Sequence, residues 1–349
     1  MLRRVSKQVK VGNVKIGGDA PIVIQSMLNA PASDFEANLK QVKALEEAGC
    51  EIVRMAVPDF DAVKVLGKLK EETKIPLVAD IHFDYKLALE SLKAGVDKIR
   101  INPGNIGSAE RVAAVADACA LRGVPIRIGV NSGSVEKDLL EKFGGATPEA
   151  MVESAFRHIE LLEKCGFYDT VVSIKSSDVE NMVASYSLVA ERCDYPLHLG
   201  VTEAGTERSS LVKSSIGIGS LLLKGIGDTV RVSITDSPVK EIYAARDILN
   251  AVNLRIETPR IVACPTCGRT KIDLVSLATQ VENAVKDIKK PVKIAVMGCV
   301  VNGPGEAREA DIGIAGGDGC AVLFKKGEIL RKVPEKDIVG ALLDELDKI

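Results

Sequence analysis

The chain has 349 residues, of which 46% are hydrophobic and 27% charged, the balance of a globular protein of about two domains. The net charge of −2 and the aromatic content of 3% exclude an overall basic field for nucleic acid or anionic membrane and a set of base-stacking side chains. The basic N-terminus has no apolar run, and no stretch approaches 18 apolar residues. We therefore expect a cytoplasmic protein, whose eight cysteines are thiols or metal ligands rather than disulfides.

From the N-terminus, residues 7–17 alternate polar and apolar side chains around Gly-Asn, which predicts a short β-hairpin. Eight short β-branched runs follow, separated by stretches of helical periodicity that often end on glycine. The runs are IVIQSM (22–27), IVRMAV (52–57), LVADIHF (77–83), KIRINPG (98–104), IRIGVN (126–131), TVVSIKSS (170–177), LHLGVTEAG (197–205) and TVRVSIT (229–235). Eight strands that each precede a helix predict an α/β fold of the TIM (β/α)8 barrel type. An open doubly wound sheet is the alternative, but its dinucleotide fingerprint is missing.

The sequence changes character near residues 256–263, where Pro259, Pro265 and a new cysteine pair suggest a domain boundary. We place a barrel domain with its hairpin at residues 1–258 and a small α+β domain at residues 259–349. In the second domain the pattern predicts a helix (273–288), strands (293–298 and 311–317), a hairpin (320–333) and a final helix (334–348).

The predicted barrel strands carry an unusual number of cations. Alternate side chains of a barrel strand point inward, and active sites lie at the carboxyl ends of the strands. Residues of shared parity are Asp80 with His82, Arg100 with Asn102, Arg127 with Asn131, Ser173 with Lys175 and Arg231 with Ser233. With Arg54 the strands hold five basic residues, which Asp80 and Glu203 would neutralise only in part. Burying unpaired cations is costly, so we infer a small substrate with more than one phosphate. The alternative is that each cation pairs with a local carboxylate or faces outward.

The cysteines of CPTCGR (264–269) and MGCVVNGPGEARE (297–309) form a second cluster of candidate residues. Their spacing fits an iron–sulfur cluster, a zinc site with Cys320 as fourth ligand, or a redox dithiol that leaves Cys299 without a role. Glu306 follows the turn-rich NGPG on the same segment as Cys299, so its carboxylate can reach the same centre. A cluster with one ligand that is not a thiolate leaves one iron open to a substrate.

These two motifs, together with the set from Arg54 to Arg231, resemble the bacterial 4-hydroxy-3-methylbut-2-en-1-yl diphosphate synthase family over essentially the whole chain. The resemblance implies a barrel followed by a cluster domain, with a [4Fe–4S] cluster on Cys264, Cys267, Cys299 and Glu306. It implies diphosphate-binding cations, which are Arg54, Arg100, Arg127, Lys175 and Arg231. Further implied substrate contacts are Asp80, His82, Asn102, Asn131, Thr202 and Ser233. Glu203 matches the barrel carboxylate with an acid/base role, and Glu306 is the second catalytic residue.

The resemblance also implies the reaction. It is the reductive ring opening and dehydration of 2-C-methyl-D-erythritol 2,4-cyclodiphosphate in isoprenoid precursor biosynthesis, with electrons from ferredoxin or flavodoxin. The family works as a homodimer in which the cluster domain of one subunit closes over the barrel of the other. Two other classes remain: a phosphate-sugar lyase or aldolase barrel with a structural zinc domain, and a non-catalytic iron–sulfur regulator, which has no need of five convergent cations.

Overall fold

The computed structural model describes residues 2–286, 288–299 and 308–349. Contacts divide the chain into two units, Met1–Leu254 and Arg255–Ile349. Leu254, the last residue of the first unit, is packed against the core of that unit. The prolines that suggested the boundary therefore lie a few residues inside the second unit.

The first unit starts with the predicted hairpin, whose antiparallel strands are β1 (Val9–Val11) and β2 (Val14–Ile16). Gly12 in its turn has φ +57°, a left-handed conformation that favours glycine. Val11 and Ile16 pack against Val23, Ile52 and Val78, which lie near the amino ends of three barrel strands. The hairpin therefore covers the amino end of the barrel and leaves the carboxyl ends of the strands for a site.

Eight parallel strands form the predicted barrel, in the order β8-β7-β6-β5-β4-β3-β10-β9. They are β3 (Val23–Met27), β4 (Ile52–Ala56), β5 (Leu77–Asp80), β6 (Lys98–Ile101), β7 (Ile126–Asn131), β8 (Thr170–Lys175), β9 (His198–Leu199) and β10 (Thr229–Val230). A single bridge between Val172 and Leu197 joins β8 to β9 and closes the ring. The strands β9 and β10 are much shorter than predicted, because in each the chain leaves the sheet after two residues and continues as a loop.

Helices surround this sheet and bury Val, Leu, Ile and Ala side chains against it. They are α1 (Phe35–Glu47), α2 (Phe60–Glu72), α3 (Tyr85–Lys93), α4 (Pro103–Ile106), α5 (Ala109–Arg122), α6 (Lys137–Phe143), α7 (Pro148–Lys164), α8 (Val179–Arg192), α9 (Glu207–Leu223) and α10 (Pro238–Ala251). Asp34, Asp59, Asp84 and Asp178 start α1, α2, α3 and α8 by accepting a hydrogen bond from a backbone N–H of the first turn. No helix of the described residues has the length and hydropathy required to cross a bilayer.

The second unit is a five-stranded sheet in the order β11-β12-β13-β14-β15 with two main helices, as its α+β prediction required. The first three strands run parallel and the last two form the predicted hairpin. The elements are β11 (Arg260–Ala263), α11 (Leu274–Val285), β12 (Lys293–Met297), β13 (Ile312–Gly317), β14 (Cys320–Lys325), β15 (Glu328–Pro334) and α12 (Ile338–Leu346). The strand β11 was not predicted. Because β11 and β12 are parallel neighbours, the segments that follow them, at Cys264 and at Cys299, leave the same edge of the sheet.

Candidate active site

The carboxyl ends of the barrel strands surround a cavity of ≈ 190 Å³. Its lining includes nine predicted site residues: Arg54, Asp80, His82, Arg100, Arg127, Asn131, Lys175, Thr202 and Arg231. Ser173, which shares the parity of Lys175, and Met27 complete the lining. Inward parity along the strands of one barrel brings Arg100, Arg127 and Lys175 together, while His82, Thr202 and Arg231 lie just after the strands that precede them.

Asp80 is the carboxylate that holds two of the arginines in place. Its Oδ1 accepts a hydrogen bond of 3.0 Å from Nη1 of Arg100, and its Oδ2 lies 3.5 Å from Nε of Arg54. Burial alone would raise the pKa of Asp80, but the charges of Arg54 and Arg100 outweigh it and lower the pKa to about 2. Arg54 also donates to the sulfur of Met27, at 3.0 Å from its Nε. Asp80 is therefore an anion at neutral pH and is already occupied by two cations.

Arg231 pairs with a carboxylate that the sequence analysis did not single out. Its Nε and Nη2 donate to Oε2 and Oε1 of Glu241 at 3.1 and 2.8 Å, a two-pronged ion pair. Glu241 belongs to α10 and is 2% exposed. Glu203, which was expected to neutralise part of the cation cluster, is exposed and does not line the cavity. Glu241 thus supplies the counter-charge that the sequence interpretation had assigned to Glu203.

Arg127 and Lys175 form no ion pair among the described residues. Both are buried, and Nε and Nη1 of Arg127 have no hydrogen-bond partner there. Burial, and after it the positive charges of Arg127 and Arg54, lowers the pKa of Lys175 well below its usual range. The cavity therefore contains two cations that lack a protein counter-charge, which is an arrangement suited to an anionic ligand.

One buried cation was missed in the sequence. Lys98 lies two residues before Arg100 on β6, is fully buried, and has Nζ at 3.5 Å from Oε1 of Gln25. Burial, followed by the charges of Arg127 and Arg54, lowers its pKa well below the usual range. The alternation of side chains along the strand could have identified it, because Lys98 has the same parity as Arg100.

Two glycines provide the space for these long side chains. A Cβ at Gly129 would lie 2.5 Å from Nε of Arg100, and a Cβ at Gly200 would lie 3.0 Å from Nζ of Lys175. Such distances are shorter than ordinary contacts, so a side chain at Gly129 would displace Arg100. A side chain at Gly200 would crowd Lys175 and also the backbone carbonyl of Arg231, at 2.6 Å. These glycines explain why the runs IRIGVN and LHLGVTEAG each contain a residue of low strand propensity.

Three predicted site residues are not in the lining of the cavity. Asn102 is buried and caps α4, because its Oδ1 accepts a hydrogen bond of 3.1 Å from the N–H of Gly104 in the first turn. Ser233 is half-buried, and its carbonyl accepts a hydrogen bond from Ser210. Glu203 directly follows Thr202 and has φ +51°, an uncommon conformation for a residue other than glycine. These three residues follow barrel strands but do not line the cavity.

The second candidate site is in the C-terminal unit, where Cys264, Cys267 and Cys299 line one cavity of ≈ 130 Å³. The N–H of Gly298 donates to Sγ of Cys264 at 3.2 Å. A hydrogen bond from the backbone of Arg269 is the main cause that lowers the pKa of Cys267. Cys320, the alternative zinc ligand, lies in β14 and does not line this cavity. Glu306, the predicted fourth ligand, lies outside the described residues.

The three thiols fit a polynuclear cluster. Thiolates of an iron–sulfur cluster bind different irons and surround a larger volume than the four ligands of a single zinc ion. The N–H of Gly298 is directed at Sγ of Cys264, and hydrogen bonds to the sulfurs are common in iron–sulfur sites. The cavity and its donors therefore suit a cluster.

Comparison with known proteins gives matches over the whole chain. The family profile described as GcpE TIM-barrel domain matches residues 6–246, and that of the GcpE protein C-terminal domain matches residues 260–348. A protein of Caldanaerobacter subterraneus subsp. tengcongensis, named 4-hydroxy-3-methylbut-2-en-1-yl diphosphate synthase (flavodoxin), is 56% identical over 100% of this chain and 98% of its own. The protein of that name from Clostridium tetani is 53% identical over 100% of both chains.

Among solved structures, a dihydropteroate synthase of Yersinia pestis in a sulfonamide complex matches with a TM-score of 0.50 and 14% identity. The match covers 71% of this chain and 100% of that one. At this identity the likeness is one of fold alone.

Proposed function

The chain belongs to the GcpE family, and from that membership we propose that it forms 4-hydroxy-3-methylbut-2-en-1-yl diphosphate. The reaction is the reductive ring opening and dehydration of 2-C-methyl-D-erythritol 2,4-cyclodiphosphate. The protein is thus an oxidoreductase of isoprenoid precursor biosynthesis, and flavodoxin, which the names of its relatives include, is the electron donor.

One structural observation carries the proposal: five cationic side chains line a single cavity whose counter-charges are already in use. Asp80 is shared by Arg54 and Arg100, and Glu241 is occupied by Arg231. Arg127 and Lys175 therefore remain for the ligand. A cyclic diphosphate provides several anionic oxygens in a small volume, and guanidinium groups bind such oxygens in pairs.

The same side chains act in the reaction. Cations fixed before the substrate arrives stabilise the negative charge that develops on the diphosphate when the ring C–O bond breaks. Arg127 and Lys175 are suited to this role, because burial makes their charge act through a medium of low dielectric constant. We assign to Glu203, on the loop that also carries Thr202, the transfer of a proton from its carboxyl group to the departing hydroxyl oxygen.

We further propose that Cys264, Cys267, Cys299 and Glu306 hold a [4Fe–4S] cluster. When bound there, the cluster supplies the two electrons of the reaction, one at a time. The chain contributes three converging thiols and the N–H of Gly298 directed at Cys264. Free thiols of this kind persist in the reducing cytoplasm, where we place the protein.

The proposal includes a homodimer. The outer face of α9 exposes Val212, Ile216 and Leu223, each with more than half of its surface accessible to solvent. An apolar stripe of this kind is typical of a surface that another protein covers. Light scattering should then give twice the chain mass of 37.2 kDa.

Anaerobic purification followed by iron, sulfide and zinc analysis and a turnover assay tests the proposal. We expect iron and acid-labile sulfide in equal amounts, broad absorbance near about 400 nm, and a product with the mass of the hydroxylated butenyl diphosphate when reduced flavodoxin is supplied. Zinc without sulfide would support the lyase or aldolase alternative instead. A cluster-replete protein that forms no product would refute the proposed reaction.

A further inference from the structure

Glu241, on α10, forms an ion pair with Arg231, one of the cations of the cavity. Its carboxylate accepts four hydrogen bonds: Nη2 of Arg231 at 2.8 Å and N of Ile234 at 3.1 Å on Oε1, and Nε of Arg231 at 3.1 Å and Oγ of Ser26 at 2.7 Å on Oε2. A carboxylate has about four lone-pair sites, so all are used. Such a group is fixed in orientation.

This arrangement determines how Arg231 meets a ligand. The guanidinium is planar, and the two contacts to Glu241 involve Nε and Nη2, so they define its plane and leave Nη1 for another partner. Ser26, at the end of β3, and the backbone of Ile234 in turn hold the carboxylate. The orientation of Arg231 is thus set by an outer helix and by a strand that provides no charged residue to the cavity.

We propose that Glu241 is a positioning residue, which acts through Arg231 to orient one guanidinium for a diphosphate. The inference rests on the proposed function, because it concerns the same cavity. On this proposal Glu241, which does not line the cavity, is required for the recognition of two linked phosphates but not for the binding of other anions.

Two simpler roles predict different behaviour. If Glu241 were only a counter-charge, its removal would make the cavity more positive and strengthen the binding of anions, most of all those of higher charge, so the preference for pyrophosphate would not fall. If it were only structural, its loss would lower the stability and weaken all anions together. A positioning role instead predicts that the preference for pyrophosphate over phosphate falls. Loss of the orientation of Arg231 penalises the ligand whose two phosphates must both be placed, more than the ligand with one.

Glu241→Gln separates these roles, because it keeps the size of the side chain and removes its charge. A glutamine replaces one carboxylate oxygen by an NH2 group. In either orientation of the amide that NH2 group faces an N–H of Arg231, so the pair of hydrogen bonds cannot form. Glu207→Gln is the matched control, since Glu207 is half-exposed and pairs with Lys240 on the surface.

The experiment measures the dissociation constants of inorganic pyrophosphate and of inorganic phosphate by calorimetry on the full-length, cluster-replete protein. The ratio of the two constants is the readout. We expect Glu241→Gln to reduce the preference for pyrophosphate by about tenfold or more, which corresponds to about 1.4 kcal/mol, and Glu207→Gln to leave it within about threefold. In an Arg231→Ala background Glu241→Gln should change the ratio no further, because its effect passes through Arg231.

Every result decides. A preference for pyrophosphate that is unchanged or increased makes Glu241 a counter-charge or a structural residue only, and overturns the proposal. An equal effect of Glu241→Gln with and without Arg231 shows that Glu241 does not act through Arg231, and overturns it as well. If Glu241→Gln does not fold, Glu241→Asp keeps the charge but withdraws it by one methylene, and a wild-type ratio in that variant would also overturn it. Binding is measured without turnover, so a wild-type protein that binds pyrophosphate but forms no product would refute the proposed reaction and leave this test intact.

Discussion

Asp80→Asn should destabilise the barrel unit far more than an ordinary change of one charged residue. Asp80 is 3% exposed and accepts from Arg100 while pairing with Arg54. The substitution removes the single carboxylate that the two arginines share. It keeps the shape of the side chain, so no cavity effect adds to the loss of charge.

The size of the effect follows from the titration of this group. The pKa of Asp80 lies at about 2 rather than at 3.8, which corresponds to about 2.5 kcal/mol of stability at neutral pH. Because the pKa is depressed in the folded state, this contribution is complete above pH 3.8 and is lost as the pH falls towards about 2. Asp80→Asn should therefore cost about 2.5 kcal/mol at pH 7, and less as the pH falls below 3.8.

Urea unfolding followed by tyrosine fluorescence measures the effect. All five tyrosines of the chain precede Leu254 and the chain has no tryptophan, so the signal reports the barrel unit alone. Asp61→Asn is the control, since Asp61 also pairs with a cation, Lys64, but on the exposed surface. An exposed pair of this kind contributes at most about 1 kcal/mol. If Asp80→Asn costs no more than Asp61→Asn at pH 7, the charge assignment in the cavity is wrong.

Three further predictions concern the two sites. Arg127→Ala should weaken pyrophosphate binding by about 1.5–3 kcal/mol in calorimetry, because a charge-assisted contact is lost, whereas Arg157→Ala on the surface should have no effect. The advantage of the wild type over Lys175→Met in pyrophosphate affinity should shrink as the pH rises, because the pKa of Lys175 is depressed and only its protonated form attracts an anion. Cys299→Ala should abolish iron binding after reconstitution, while Cys320→Ala should retain it, as metal analysis will show.

Each of these three predictions has an outcome that would contradict it. Unchanged binding in Arg127→Ala would mean that the diphosphate binds elsewhere. An advantage of Lys175 that stays constant up to pH 10 would show that it remains fully charged in the free cavity. Loss of iron from Cys320→Ala with retention in Cys299→Ala would show that the assignment of the ligands is wrong.

The cations of the barrel could be located from the sequence because strand geometry is strictly periodic. Once residues 98–104 and 126–131 are recognised as strands, parity places Arg100 and Arg127 on the inner face, and parallel pairing brings their ends together. The same reasoning overestimated β9 and β10. Their runs are β-branched, but pairing ends after two residues where the chain turns into the loops of Thr202 and Arg231.

The role of Glu241 could not be predicted from strand and helix periodicity. In DSPVKEIYAARDILNAV it stands beside Lys240 and has the spacing of an ordinary surface glutamate on a helix. Its burial depends on how α10 packs across β3, and its partner Arg231 belongs to a different element. Local periodicity contains no information on a contact of this kind, whereas the three-dimensional packing determines it.

The two unpaired cations, Arg127 and Lys175, link the lifetime of the protein to its supply of ligand. Like charges held together in a barrel without counter-ions store repulsion that an anion relieves, so the ligand-free fold is the less stable one. A ligand at a hundred times its dissociation constant adds about 2.7 kcal/mol to the stability of the protein that binds it. Proteases act on the transiently unfolded chain, and a difference of this size changes cellular abundance several-fold. We therefore expect the ligand-free protein to be degraded faster than the ligand-bound one.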